Sequence, residues 1–154
     1  MSKILRSRWV SCIVQSLFAT VVIFVICLAL NGRRPAIMAS LGATACIVFS
    51  MPSCRPARPR NVIWGHIIGL ICGAVFLKIG AVFSVYPAVI YSLAVGFSIL
   101  IMVLTDTDHP PAAGTALGIA MNGITIEVTA AVILSAIGLS IARNLFRPYI
   151  RDIC

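Results

Sequence analysis

Thr105-Asp106-Thr107-Asp108-His109-Pro110-Pro111-Ala112-Ala113-Gly114-Thr115-Ala116-Leu117-Gly118 is where the chain changes character. A long apolar run stops there at two acids, a histidine and a double proline, and a second apolar run, built of small residues, begins. Proline fixes φ and pushes the preceding residue out of the helical region, so the stretch ends one helix and starts another. In water this would be an ordinary turn. In a membrane, charged and helix-breaking residues beside a short apolar run are tolerated only where protein or a water-filled cavity supplies partners for them. The stretch is therefore the first candidate for a functional site.

Composition decides the solvent. Of 154 residues, 60% are hydrophobic and 10% charged, and the mean hydropathy is +1.07. Those values lie outside the range of soluble domains and describe an all-α integral membrane protein. The net charge of +8 comes from twelve Lys and Arg that fall between apolar runs or near the termini. That pattern fits topology and lipid headgroup contact. Nucleic acid is excluded as a partner, because the aromatics are not interleaved with the basic residues and no zinc-finger or RNP pattern occurs. The six cysteines, at 12, 27, 46, 54, 72 and 154, form no C-x-x-C pair and read as small packing residues.

Outward from the organising stretch, six apolar segments can be drawn: 10–30, 36–51, 62–83, 85–104, 110–121 and 124–145. The first is long enough to cross the hydrocarbon at about 1.5 Å per residue and is expected to be an uncleaved span. Residues 36–51 and 110–121 are short, open at proline, and are rich in small or hydroxylated residues, among them Ser40, Gly42, Thr44, Gly114 and Thr115. Small residues let backbones approach closely. Arg60 and Asn61 read either as headgroup anchors or as an anion-facing pair at a helix N-terminus. His66 lies about one turn inside the third span.

The order long, short, long then repeats. Thr44-Ala45 can be laid on Thr115-Ala116, giving expected repeat halves of 10–84 and 85–146 within one polytopic domain. If all six segments cross, Lys3, Arg6, Arg8, Arg55, Arg58, Arg60, Arg143, Arg147 and Arg151 share one face, against Arg33, Arg34 and Lys78 on the other. The positive-inside rule then makes both termini cytoplasmic, in a bacterial inner membrane. Three crossings per half invert the second half, and paired short segments in such a repeat point to a midplane site. The two short helices are expected to direct their positive N-terminal ends inward from opposite faces.

His109-Pro110-Pro111-Ala112-Ala113-Gly114-Thr115-Ala116-Leu117, Pro59-Arg60-Asn61-Val62-Ile63-Trp64-Gly65-His66 and Ala39-Ser40-Leu41-Gly42-Ala43-Thr44 together resemble the HPP family of integral membrane proteins, in the family's order. The resemblance covers roughly residues 20 to 145. It implies a small polytopic protein and, from plant and cyanobacterial members, an association with nitrite transport. The chain departs from the family pattern in the Ala113-Gly114 order and at Trp64.

The function expected is a transporter or channel for a small inorganic anion. Arg60 attracts the anion, while Asn61, Thr44 and Thr115, with Ser40, replace its water. His109 or His66 senses or carries a proton. Gly42, Gly114, Pro110 and Pro111 permit close approach and fix helix starts. Asp106 and Asp108 pair with Arg60 or Arg58 as a gate. The alternative is a non-transporting membrane subunit that binds a partner protein or lipid through its basic cytoplasmic face. No hydrolase or metalloprotease motif is present, so no enzymatic activity and no cofactor are expected. A metal held by Asp106, Asp108, His109 and His66 is the other use of those side chains. Six thin helices can hardly enclose a wide pore, so a homodimer or larger homo-oligomer is expected.

Overall fold

The computed structural model describes residues 3–31, 34–147, 150 and 152, and for residues 3–8 and 29 the backbone only. Arg33, Arg151 and Cys154, and the side chains of Lys3, Arg6 and Arg8, lie outside the described residues. The fold is an all-helical bundle: α1 (Lys3–Ala29), α2 (Pro35–Ser50), α3 (Pro59–Phe83), α4 (Pro87–Leu104), α5 (Pro110–Asn122) and α6 (Ile126–Phe146), with one 3-10 turn at Arg55–Ala57.

Proline opens four of these helices, α2 through α5. Its fixed φ suits the first helical position, where a missing N–H removes nothing the helix needs. That preference places the start of α3 at Pro59 rather than near Val62, so Arg60 and Asn61 belong to its first turn and His66 sits about two turns in. At α6 the start is later than expected. Thr125 is the N-cap and its hydroxyl accepts from the Val128 N–H at 3.2 Å, with Glu127 in the first turn, where the helix dipole favours an acid.

Helix α4 ends in a Schellman motif. The Thr107 N–H reaches the Met102 carbonyl at 2.9 Å and the Asp106 N–H that of Val103 at 3.2 Å, which puts Asp106 in the left-handed region at φ 59°. Glycine is usual there; Asp is among the few other residues that accept it.

Four helices, α1, α3, α4 and α6, are long and apolar enough to cross a membrane. Helices α2 and α5, at 16 and 13 residues, extend about 24 and about 20 Å. These two short helices pack on each other in the middle of the bundle. Exchanging α1 with α4, α2 with α5 and α3 with α6 carries α1·α2 onto the comparable pair α4·α5, but α2·α6 and above all α1·α6 are much slighter contacts than their counterparts α3·α5 and α3·α4.

The apolar core forms where α6 meets α2, through Ile37, Leu41, Val128 and Val132 in one cluster and Ala45, Val48, Phe49, Ala136 and Leu139 in another. Leu17, Val21, Phe24 and Leu28 of α1 and Val103 and Leu104 of α4 face outward. Lipid tails are as apolar as these side chains, so such rows suit a membrane protein.

Candidate functional site

The site begins with glycine. Gly65, Gly69 and Gly73 recur every four residues along α3, one above the other on the face turned to α5. A β-carbon on Gly65 would lie 2.7 Å from His109 Cβ, one on Gly69 would collide with the Ala112 carbonyl oxygen, and one on Gly73 would come within 2.6 Å of the Ala116 carbonyl oxygen. Backbone therefore meets backbone along this seam. Helix α2 lies against α5 from another side and runs antiparallel to it. Gly118 faces Ala36 and Ile37, and Gly114 faces Ser40, while Thr44 meets His109.

Into this close crossing the sequence delivers two histidines. His66 stands on α3 and is fully buried. His109 is the N-cap of α5, extended as a residue before proline must be. Its ring does not cap the helix but turns inward, also fully buried. The ring centroids are 5.2 Å apart.

Thr44 Oγ1 lies between the rings, 2.9 Å from His66 Nε2 and 3.0 Å from His109 Nε2. From His66 the chain continues through Nδ1 to Thr115 Oγ1 at 2.8 Å, then to Ser40 Oγ at 2.8 Å, which donates to the Pro111 carbonyl at 2.6 Å. From His109 it ends at the Pro56 carbonyl, which accepts from Nδ1 at 2.8 Å. Burial holds the His109 imidazole down from its ordinary value to about 4, against the Pro56 hydrogen bond, which acts the other way.

A charged lid covers the His109 end. Arg55, on the turn that carries Pro56, pairs with Asp106, and also with Asp108 at 3.1 Å. Arg60 lies 3.6 Å from Asp106 and donates to the Thr105 carbonyl at 3.1 Å. Beneath them Asn61 donates to the Asp108 carbonyl at 3.1 Å. A cleft of about 310 Å³ between α4 and α5, lined by Met102, Val103, Asp108, His109, Pro110 and Ala113, reaches the histidine from the side.

Ser40, Thr44, His66, His109, Pro111, Gly114 and Thr115 thus come together, and Asp106 and Asp108 pair with arginine. Several expectations need correction. The arginines in those ion pairs are Arg55 and Arg60, not Arg58, because the 3-10 turn carries Arg55 toward the acids. Gly42 is not in the site: it faces α1, with Ile23 Cδ1 its nearest neighbour at 3.9 Å from a β-carbon. Nor do the short helices meet by their N-terminal ends. They lie side by side, and α5 has little to offer an anion there, since Pro110 and Pro111 lack N–H groups and the Ala112 N–H already bonds the His109 carbonyl at 2.9 Å. Pro110 itself is exposed at the rim. Asn61 is buried against a carbonyl rather than open to solute. Among the described residues no group of three His, Cys, Asp or Glu could hold a metal ion.

Two contributors escaped the sequence reading. The glycine stripe was visible in the four-residue spacing of Gly65, Gly69 and Gly73. The Pro56 carbonyl was not, since no side-chain signal marks a backbone acceptor.

The chain matches a family described as HPP, transmembrane region, over residues 2–146. A transmembrane protein of Dictyostelium discoideum is 36% identical over 90 residues, 58% of this chain and 31% of that protein. A second transmembrane protein of the same organism is 33% identical over 82 residues, 53% of this chain and 26% of its own length. The aligned region is thus about a third of these relatives or less. No solved structure matches the chain.

Proposed function

The chain belongs to the HPP transmembrane family, and from that premise we propose that it is a membrane transporter or channel for a small inorganic anion, with nitrite the first candidate. The observation that carries this reading is the continuous buried run of hydrogen-bonding side chains, from His109 through Thr44, His66 and Thr115 to Ser40, at the crossing of two short helices. Polar side chains deep in a membrane protein are costly to place and mark solute or proton paths. The lid adds a means of closure: Arg55 and Arg60 pair with Asp106 and Asp108 over the His109 end.

The order long, short, long in each half, with the two short helices packed on each other, supports an inverted repeat. In that arrangement alternate opening of the two sides is a rocking of one half against the other. The lid then faces the cytoplasm with both termini, and the protein assembles as a homodimer or larger oligomer.

Uptake into proteoliposomes of purified protein tests the reading. Nitrite, nitrate or formate is expected to enter down its gradient, and loss of that uptake in His109→Gln ties it to the site. If none of the three anions moves faster than in protein-free vesicles, the transport reading fails.

A further inference from the structure

The hydrogen-bond chain has a parity that can be read from its two ends. The Pro56 carbonyl can only accept, so His109 Nδ1 carries the proton of that bond. In the neutral ring His109 Nε2 is then an acceptor and needs a proton from Thr44. At the other end the Pro111 carbonyl can only accept, so Ser40 donates to it. Thr115 must then donate to Ser40, and His66 Nδ1 to Thr115. The neutral His66 ring is left with an acceptor at Nε2, which also needs the Thr44 proton. Two rings demand one hydroxyl hydrogen, and the Ser40 carbonyl, 3.0 Å from Thr44 Oγ1, competes for it as well. Six links join the two carbonyls, and two neutral imidazoles with three hydroxyls supply five protons.

We infer that the Thr44 junction is a binding site for one proton shared between His66 and His109, and that this proton accompanies the solute. A proton on either Nε2 completes the chain: that ring donates to Thr44 and Thr44 donates to the other ring. When the Thr44 hydroxyl turns and passes its hydrogen on, the positive charge moves from one histidine to the other with no change in the proton count. Because both ends of the chain are acceptors that cannot release a proton, the chain stores a proton and does not conduct one. Entry and exit require the Pro56 turn to lift from His109, which is the motion that the Arg55 pairs with Asp106 and Asp108 oppose.

The surroundings decide what moves with the proton. The groups that bond the two rings are the Thr44 and Thr115 hydroxyls and the Pro56 carbonyl, with Ser40 beyond Thr115 and Gly65 against His109 Cβ. Of the charged groups on these segments, Arg55, Arg60, Asp106 and Asp108 pair with one another in the lid, while Arg58 acts electrostatically on Arg143 and Lys78 lies toward the far end of α3. No carboxylate bonds either ring among the described residues, so a buried imidazolium lacks a fixed counter-charge. A monovalent anion that reaches His109 once the Pro56 turn has lifted supplies it, and anion with proton then crosses as an uncharged pair. This deepens the transport reading and rests on it for the solute, while the proton site itself can be tested alone.

The chain has only two histidines, so imidazole nitrogen NMR of the ¹⁵N-histidine-labelled protein in nanodiscs reads both without ambiguity. At neutral pH both rings are expected as the Nδ1–H tautomer. On acidification the pair is expected to take up one proton as a shared event, with the second delayed by more than about one pH unit, the mark of coupled sites. Adding nitrate, which does not itself bind a proton in this range, is expected to move the first uptake upward. Thr44→Val is expected to abolish the coupling, and Thr44→Ser to restore it. The inference is overturned if His66 carries its proton on Nε2, if the rings titrate independently, or if Thr44→Val leaves the coupling intact. An absence of anion uptake with a normal shared titration would instead remove the transport reading and spare the proton site.

Discussion

The two long helices that flank the central crossing, α3 and α6, close against it in opposite ways. Helix α6 presents Val128, Val132, Ala136 and Leu139 to Ile37, Leu41, Ala45 and Val48 of α2, and the contact is side chain on side chain, apolar throughout. Helix α3 presents Gly65, Gly69 and Gly73 to α5, and the contact is backbone on backbone. The glycine side draws α5 inward by the width of a side chain. That approach is what lets a histidine on α3 and another at the start of α5 reach the same threonine on α2. One flank is built to hold, the other to bring polar groups together.

The glycine flank offers the largest way to break this contrast. In Gly69→Ala the new β-carbon meets the Ala112 carbonyl, which is backbone and cannot rotate aside. We expect a loss at the upper end of about 1–3 kcal/mol, read as a lowered thermal unfolding midpoint in detergent, together with loss of anion uptake as α5 is forced off α3. Gly138, which has nothing within 4 Å of a β-carbon, supplies the control: Gly138→Ala should match or slightly exceed the parent in stability.

Leu139→Ala probes the opposite flank. A cavity among Val48, Phe49 and Val62 would cost about 2–5 kcal/mol in a water-soluble core. In lipid the transfer part of that cost falls away, so the lower end, about 2 kcal/mol, is expected. Uptake and the histidine spectra should survive in the fraction that remains folded. If Leu139→Ala instead abolishes uptake while unfolding normally, the division of labour between the flanks is wrong.

A third effect is set by pH. Folded His109 holds its proton less tightly than the unfolded chain does, at about 4 against 6.5, so between those values the unfolded state binds more protons. Stability should be flat above pH 7 and fall as pH drops from about 6.5 toward 4. His109→Gln should lessen that slope, and thermal unfolding across pH measures it.

The sequence disclosed the crossing and its polar residues but not how they meet. Helix order and length were legible because proline and apolar runs act locally, through φ and through solvent. That Thr44, Thr115 and the histidines are the polar side chains to follow was legible because such side chains are conspicuous in an apolar chain, and the structure brings them together. What stayed hidden depends on packing geometry: that Gly42 turns toward α1, that α5 spends its N-terminal positions on two prolines without N–H groups, and that a 3-10 turn carries Arg55, rather than Arg58, to Asp106. Each is fixed by contacts between segments distant in sequence.

The smallest effect lies at the lid, which belongs to neither flank and closes the polar one. Asp106 sits at φ 59°, a conformation Asn accepts as readily as Asp, so Asp106→Asn keeps the backbone and removes the charge that faces Arg55 and Arg60. Exposed ion pairs contribute about 0–1 kcal/mol, so the unfolding midpoint should scarcely move. The same energy holds the Pro56 turn on His109, and its removal can shift an opening equilibrium by at most about fivefold. If lid opening limits access, uptake in Asp106→Asn should rise within that bound, and raising the salt should produce the same rise in the parent protein by screening the pair. The variant should then respond less to salt than the parent, with the Arg55–Asp108 pair the part that remains to be screened. A variant that slows uptake, or that keeps the parent's salt response, would show that the pair attracts or orients the anion and does not restrain the lid.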